Sequence, residues 1–220
     1  MDKTIYAITI SHQLGSGGAY VGEKLAQRLG IPFLDREILK NVARQLDLME
    51  EEVENREERL STYWESFTRS MVWADPAMSV EIPRLPPTDR ELFGVECDTI
   101  RQIAEKSSAI FLGRCGWDIL SNHPHHVSIL LTANNAERVK RLRELYHLSE
   151  PQAQELIRTN DRERDEYNKK FTRKNWLDAR NYDLCMNTSV IGWDRAVDLA
   201  EVCVRTKIPG IAADNVTQPS

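Results

Sequence analysis

The stretch Ile8-Thr9-Ile10-Ser11-His12-Gln13-Leu14-Gly15-Ser16-Gly17-Gly18-Ala19-Tyr20-Val21 restricts the fold more than any other part of the chain. The apolar run from Ile5 to Ile10 reads as a short buried strand, and beyond the glycines Val21, Leu25 and Leu29 recur at helical spacing. A strand, a glycine turn and a helix in that order aim several backbone N–H groups and the positive end of a helix dipole at one point. That point suits a phosphate. Glycine serves such a turn because it accepts positive φ and lets an anion approach the backbone. The standard phosphate loop is G-x-x-x-x-G-K-[ST]. Placing Gly17 on its second glycine puts His12 on the first, Gly18 on the lysine and Ala19 on the hydroxyl. The loop therefore lacks the cation and the hydroxyl of the standard pattern. Two readings follow: an anion site made of backbone between His12 and Tyr20, or a tight strand-to-helix turn that binds nothing.

The rest of the chain narrows the class. Its 220 residues, 41% hydrophobic and 29% charged, suffice for one α/β core with an appendage. A net charge of −5 gives no bulk electrostatic case for nucleic acid. Cys97, Cys115, Cys185 and Cys203 form no C-x-x-C pair and read as unlinked thiols in a reducing compartment. No secretory pattern precedes the first strand and no apolar run approaches membrane-spanning length, so a cytoplasmic chain with no membrane partner is expected.

Strands are expected at 5–10, 31–34, 108–112, 126–131 and 182–186, alternating with helices, the first of them at 19–29 and the last at 193–204. That alternation predicts an α/β fold: a doubly wound, three-layer arrangement with a five-stranded parallel sheet and helices on both faces. Ligands of such sheets bind beyond the C-terminal ends of the strands. Asp35 and Arg36 follow the second strand, and Asp35 either holds a metal-bound water or substrate hydroxyl, or caps the next helix. Arg114 follows the third, where a guanidinium either grips phosphate with two parallel hydrogen bonds or forms an intradomain ion pair. His123, His125 and His126 flank Pro124 without carboxylate or cysteine at ligand spacing, and no metal is expected there.

Two segments stand apart. Between 36 and 90, Leu39, Val42, Leu46, Met49, Val53 and Leu60 keep a 3–4 spacing, which fits a helix-pair seam in the domain or a homodimer contact. Prolines at 76, 83, 86 and 87 then break regular structure into a flap, preceded by Tyr63, Trp64, Phe67, Met71 and Trp73 that would cover either a base or the core. Further on, Ser149-Glu150-Pro151-Gln152 is a capping box. The helix it opens carries Arg158, Arg162, Arg164, Lys169, Lys170, Arg173 and Lys174, either a phosphate clamp or a helix solvated by mixed charges. Residues 209–220 lack periodicity and are expected to be disordered.

Five motifs in one order, Gly15-Ser16-Gly17-Gly18, Phe33-Leu34-Asp35-Arg36-Glu37, Gly113-Arg114-Cys115, Asp161-Arg162-Glu163-Arg164-Asp165-Glu166-Tyr167 and Asn181-Tyr182-Asp183-Leu184-Cys185-Met186-Asn187-Thr188, resemble the cytidylate kinase-like family, a branch of the nucleoside monophosphate kinases. The resemblance runs from about Thr4 to Val204. It implies a P-loop kinase domain over 1–208, with a nucleoside monophosphate-binding region at about 36–90 and a LID at about 149–176. It implies transfer of the γ-phosphoryl group of ATP, with Mg²⁺, to a small-molecule acceptor, CMP or dCMP by default. On the matching positions, Gly15, Ser16, Gly17 and Gly18 would wrap the donor phosphates, with His12, Ala19 and Tyr20 beside them. Asp35 and Arg36 would lie near the acceptor, Arg114 on its phosphate, and Arg162 and Arg164 would close from the LID. Cytidylate kinases carry lysine and then threonine in this loop, where this chain has Gly18 and Tyr20; the cytidylate kinase-like branch commonly lacks that lysine too. Two alternatives stand beside a nucleotide kinase: a nucleotide sensor or scaffold without turnover, and a kinase for a non-nucleotide acceptor.

Overall fold

A computed structural model describes residues 4–35, 90–208 and 210–211 of the chain. The helical seam, the proline-rich flap, Arg36 and the tail beyond 211 lie outside the described residues.

β1 (Ala7–His12) is buried along almost its whole length. A strand covered on both faces needs apolar side chains on both, which is why its sequence shows no alternation. It stands at the centre of a five-stranded sheet in the order β2-β3-β1-β4-β5, with β2 at Phe33–Leu34, β3 at Ala109–Leu112, β4 at His126–Thr132 and β5 at Leu184–Asn187. All pairings are parallel; Ile8 sits between Ile110 and Val127. The strands, glycine turn and helices therefore have the predicted three-layer arrangement.

On one face, α1 (Gly18–Leu29) and the closing helix α7 (Trp193–Lys207) bury Val21, Leu25, Val197 and Val204 against Ile8, Ile10, Ile129 and Leu131. Gly22 lets α1 settle on β2, since a Cβ there would lie 2.3 Å from the Phe33 ring. On the other face, α2 (Arg90–Lys106) packs Ile100, Ile103 and Ala104 against Ala7, Leu34, Ala109 and Phe111. A short helix α3 (Gly116–Ile119) follows β3. After β4 come α4 (Asn135–Tyr146) and α5 (Glu150–Thr172), packed through Val139, Leu142, Ala153 and Ile157 onto Leu14 of the glycine loop. The capping box is formed: Gln152 Oε1 accepts from Ser149 N at 2.9 Å and from Ser149 Oγ at 2.8 Å. The one-turn α6 (Thr188–Ile191) joins β5 to α7.

The first, second and last strands each start two residues later than the sequence suggests, and for the last the reason is local. Asp178 caps a 3₁₀ turn, Ala179–Asn181, and Tyr182 spends its N–H on the Ala179 carbonyl, so the first bond to β4 comes from Asp183 N to Ser128 O and the strand begins at Leu184. The closing helix runs on to Lys207, helped by the Arg205–Glu201 pair one turn apart. Among the described residues no helix is long and apolar enough to cross a membrane.

Candidate active site

The turn between β1 and α1 lies at the C-terminal edge of the sheet. Gly15 and Gly17 take φ of +83° and +84°, and Gly17 is the N-cap of α1 with no side-chain cap. The first backbone bond of the helix runs from Val21 N to Gly17 O, so the amides of the preceding first-turn residues have no acceptor within the helix. Two left-handed glycines, one on each side of Ser16, followed by an uncapped helix make a concave set of N–H donors.

Three side chains fix the outside of this turn. Ser16, fully buried, turns its hydroxyl toward the carbonyls of Gln13 (2.8 Å) and Leu131 (3.2 Å). Thr188 donates toward the carbonyls of Ser16 (2.9 Å) and Thr132 (3.1 Å). Arg138, buried in α4, donates through Nε to Leu14 O at 2.6 Å and grips Asp161 of α5 with both terminal nitrogens, at 2.8 and 2.7 Å. Ser16 braces the turn with its side chain, and its amide donates to the Gln13 carbonyl at 3.0 Å, so it is not among the donors left for an anion.

Arg164, a turn further along α5, reaches the same edge. Its Nη1 donates to His12 O at 2.7 Å and its Nη2 lies 3.3 Å from His12 Nε2. Burial lowers the Arg164 pKa to about 10, with Arg138 acting in the same direction and Asp161 against it, so it stays cationic at neutral pH. His12 is pushed well below its ordinary value by burial and by the charges of Arg164 and Arg138, and is neutral there. Its ring fills the space above Gly18, where an added Cβ would lie 2.3 Å from His12 Cγ. The lysine position cannot carry a side chain while His12 stands there.

Arg114 sits behind β3 with φ +53° and is buried. It forms the ion pair with Glu96 of α2, and Tyr167 of α5 stacks on its guanidinium with the ring centre 5.0 Å from Cζ. Tyr167 also reaches Glu96 at 3.4 Å, and burial raises its pKa. Arg114 Nε and Nη1 are buried and have no hydrogen-bond partner among the described residues. The intradomain alternative is therefore realised on one nitrogen, and two further donor nitrogens remain uncommitted.

The other expected residues divide clearly. Arg162 points to solvent, 69% exposed, with Glu166 at 4.0 Å; two positions from Arg164 it lies on another side of the helix and does not join it. Arg158 and Lys169 pair with Glu155 and Asp165 on the solvated face. Ala19 is exposed, and Tyr20 bonds Asp194 at 2.6 Å, tying α1 to α7. Asp35 ends β2 at the ligand edge and raises the pKa of Glu23 as a secondary cause after burial. Sequence reading missed Arg138, Asp161's role, Glu96 and Thr188, because their partners are remote in sequence.

It also missed a pocket of about 280 Å³ beside Gly15, lined by Ala133, Arg141, Ser189, Gly192 and Trp193. The Arg141 guanidinium lies 3.6 Å from the Trp193 ring centre, and the same indole closes on Gly17, where a Cβ would come within 2.7 Å of its Nε1. A flat cationic group and an indole at the mouth of a phosphate cradle can hold a planar base. An anion fits the uncapped helix start at the glycine turn. A metal held by the loop does not: Ala19 occupies the hydroxyl position, Ser16 is engaged, and among the described residues no cluster of His, Cys, Asp or Glu could ligate an ion.

A sequence model of the cytidylate kinase-like family matches residues 7–190. A comparison with curated proteins found no match. Among solved structures, an uncharacterized protein from Eubacterium ventriosum ATCC 27560 is similar with a TM-score of 0.69 at 24% identity, covering 91% of this chain and 99% of that one. A gluconokinase from Sinorhizobium meliloti 1021 is similar at 0.50 and 14% identity, covering 92% and 93%. A shikimate kinase from Bacteroides thetaiotaomicron scores 0.49 at 13% identity, covering 91% and 98%. For the first two, likeness at these identities concerns the α/β fold and leaves the acceptor undetermined.

Proposed function

Because the chain belongs to the cytidylate kinase-like family, we propose that it is a phosphotransferase moving the γ-phosphoryl group of ATP to a nucleoside monophosphate, CMP or dCMP first. The observation that carries this reading is the convergence of a glycine turn, an uncapped helix N-terminus and the Arg164 guanidinium at one sheet edge. Phosphoryl transfer asks little covalent chemistry of a protein; it asks for positioning and for charge to be balanced as it moves onto the phosphate oxygens. The turn's amides hold the donor phosphates, and Arg164 adds the cation. The donor's base packs on the stacked Arg141–Trp193 pair. Arg114, through Nε and Nη1, receives the acceptor's anion, with Glu96 and Tyr167 fixing the guanidinium plane. Asp35 is the carboxylate at the edge for the attacking hydroxyl or its water. Mg²⁺ travels with ATP and neutralises its phosphates. In this reading residues 36–90, Arg36 among them, bind the acceptor, and α5 with its flanks serves as the LID.

Calorimetric titration tests the donor half. Arg141→Ala is expected to weaken ATP binding about tenfold and to leave inorganic tripolyphosphate unaffected. Equal losses for both ligands would remove the base from this pocket. A second reading, a nucleotide sensor without turnover, is favoured by Gly18 at the lysine position and by the Glu96 partner already on Arg114. ATP binding without phosphoryl transfer to any acceptor would select it.

A further inference from the structure

We propose that His12, as a neutral imidazole, is a positioning residue that seats the Arg164 guanidinium on the glycine turn, so that a residue of α5 supplies the cation the loop lacks at its own lysine position. The inference rests on the phosphate-binding reading of the turn and adds to it the origin of the charge and the residue that holds it.

Arg164 is seated by two contacts with one residue: Nη1 on the His12 carbonyl at 2.7 Å and Nη2 against His12 Nε2 at 3.3 Å. Guanidinium nitrogens only donate, so the imidazole nitrogen facing Nη2 must offer a lone pair, and its proton must be on Nδ1. A protonated ring has no lone pair to offer and would face a second cation. The charged groups around the ring are Arg164 from α5 and Arg138 from α4, the latter engaged by Asp161 of α5; both arginines oppose protonation. His12 Nδ1 is itself buried and has no hydrogen-bond partner among the described residues. A histidine kept only for packing would not carry that penalty, since an apolar ring of the same shape avoids it. Gly18 completes the device: with no Cβ, it leaves the imidazole room to lie across the lysine position.

Long-range ¹H–¹⁵N correlation of the histidine rings tests the pairing directly. At pH 7 His12 is expected as the Nδ1–H tautomer, and in Arg164→Met its pKa should rise toward the ordinary histidine range. The charge role is tested by titrating tripolyphosphate into wild type, His12→Phe, Arg164→Met and the double variant, with melting temperatures to exclude unfolding. Each single change is expected to weaken binding by about ten- to a hundredfold, and the double change no further, because one interaction cannot be lost twice. His12→Gln, whose side-chain carbonyl can accept from Arg164, should recover part of the loss and keeps the test open if the phenylalanine variant fails to fold. An Nε2–H tautomer, or losses that add in the double variant, would overturn the proposal. If wild type binds neither tripolyphosphate nor ATP, the phosphate reading itself falls and takes the charge role with it; the tautomer then still decides whether His12 holds Arg164.

Discussion

Gly18 is the position at which this site departs most from a standard phosphate loop, and its neighbour explains the departure. Returning a lysine there would drive Cβ into an aromatic ring that has nowhere to go, because His12 is boxed in by Arg164 and the start of α1. Gly18→Lys is therefore expected to lose about 1–3 kcal/mol of stability, the usual cost of overpacking, read from urea unfolding. Adding His12→Gly should restore most of it. A stable single variant would show that the ring is not fixed. Arg114 gives a second residue-scale prediction. Its pair with Glu96 is closed from water on both sides, at 7% and 1% side-chain exposure, so Arg114→Met alone strands a carboxylate and should cost about 3–5 kcal/mol. Replacing Glu96 by methionine as well should recover stability while phosphoryl transfer stays lost. Recovery of both would make Arg114 purely structural.

At the scale of elements, α5 is joined to the turn by two arginines pointing opposite ways: Arg138 reaches up from α4 to Asp161, and Arg164 reaches down from α5 to His12. Asp161→Ala should leave Arg138 unpaired, cost about 1–3 kcal/mol and speed amide exchange in α5 with the central strands unchanged. Uniform acceleration across the sheet would mean that α5 is no separate unit. The strands, the glycine turn and the capping box of this helix were legible in the sequence because each is a local pattern: an apolar run, paired glycines, Ser149 with Gln152. The last strand was misplaced by two residues because Tyr182 gives its N–H to a 3₁₀ turn, a choice no periodicity records. Arg162 and Arg164 looked equivalent in a run of charges, yet only the helix phase, fixed by Ile157 and Tyr167 facing inward, separates the half-buried arginine from the solvated one. Arg141, Trp193 and Thr188 meet the turn only because α4, α6 and α7 all start or pass at that sheet edge, and no short motif joins them.

For the molecule as a whole, acidity acts through His126 and His12. His126 bonds Thr9 at 2.8 Å and is lowered to about 4, first by burial and then by Lys207 and His123, with Asp183 opposing. His12 is lowered in the same direction. As pH falls the unfolded chain takes up these protons first, near pH 6.5, so stability is complete above that value and declines between it and about 4. His126 alone would account for roughly 3 kcal/mol over that window. Melting temperature should fall steadily from pH 7 to pH 4.5, and His126→Asn should flatten part of that fall; an unchanged slope would place the effect elsewhere. The central claim is that a sheet edge without a loop lysine still moves phosphate. ADP release from ATP and Mg²⁺, measured against CMP, dCMP, UMP, AMP and GMP, tests it most directly. Turnover with one pyrimidine acceptor, abolished by Arg164→Met, is the predicted result. Turnover that survives the loss of Arg164, or none with any acceptor while ATP still binds, would contradict it.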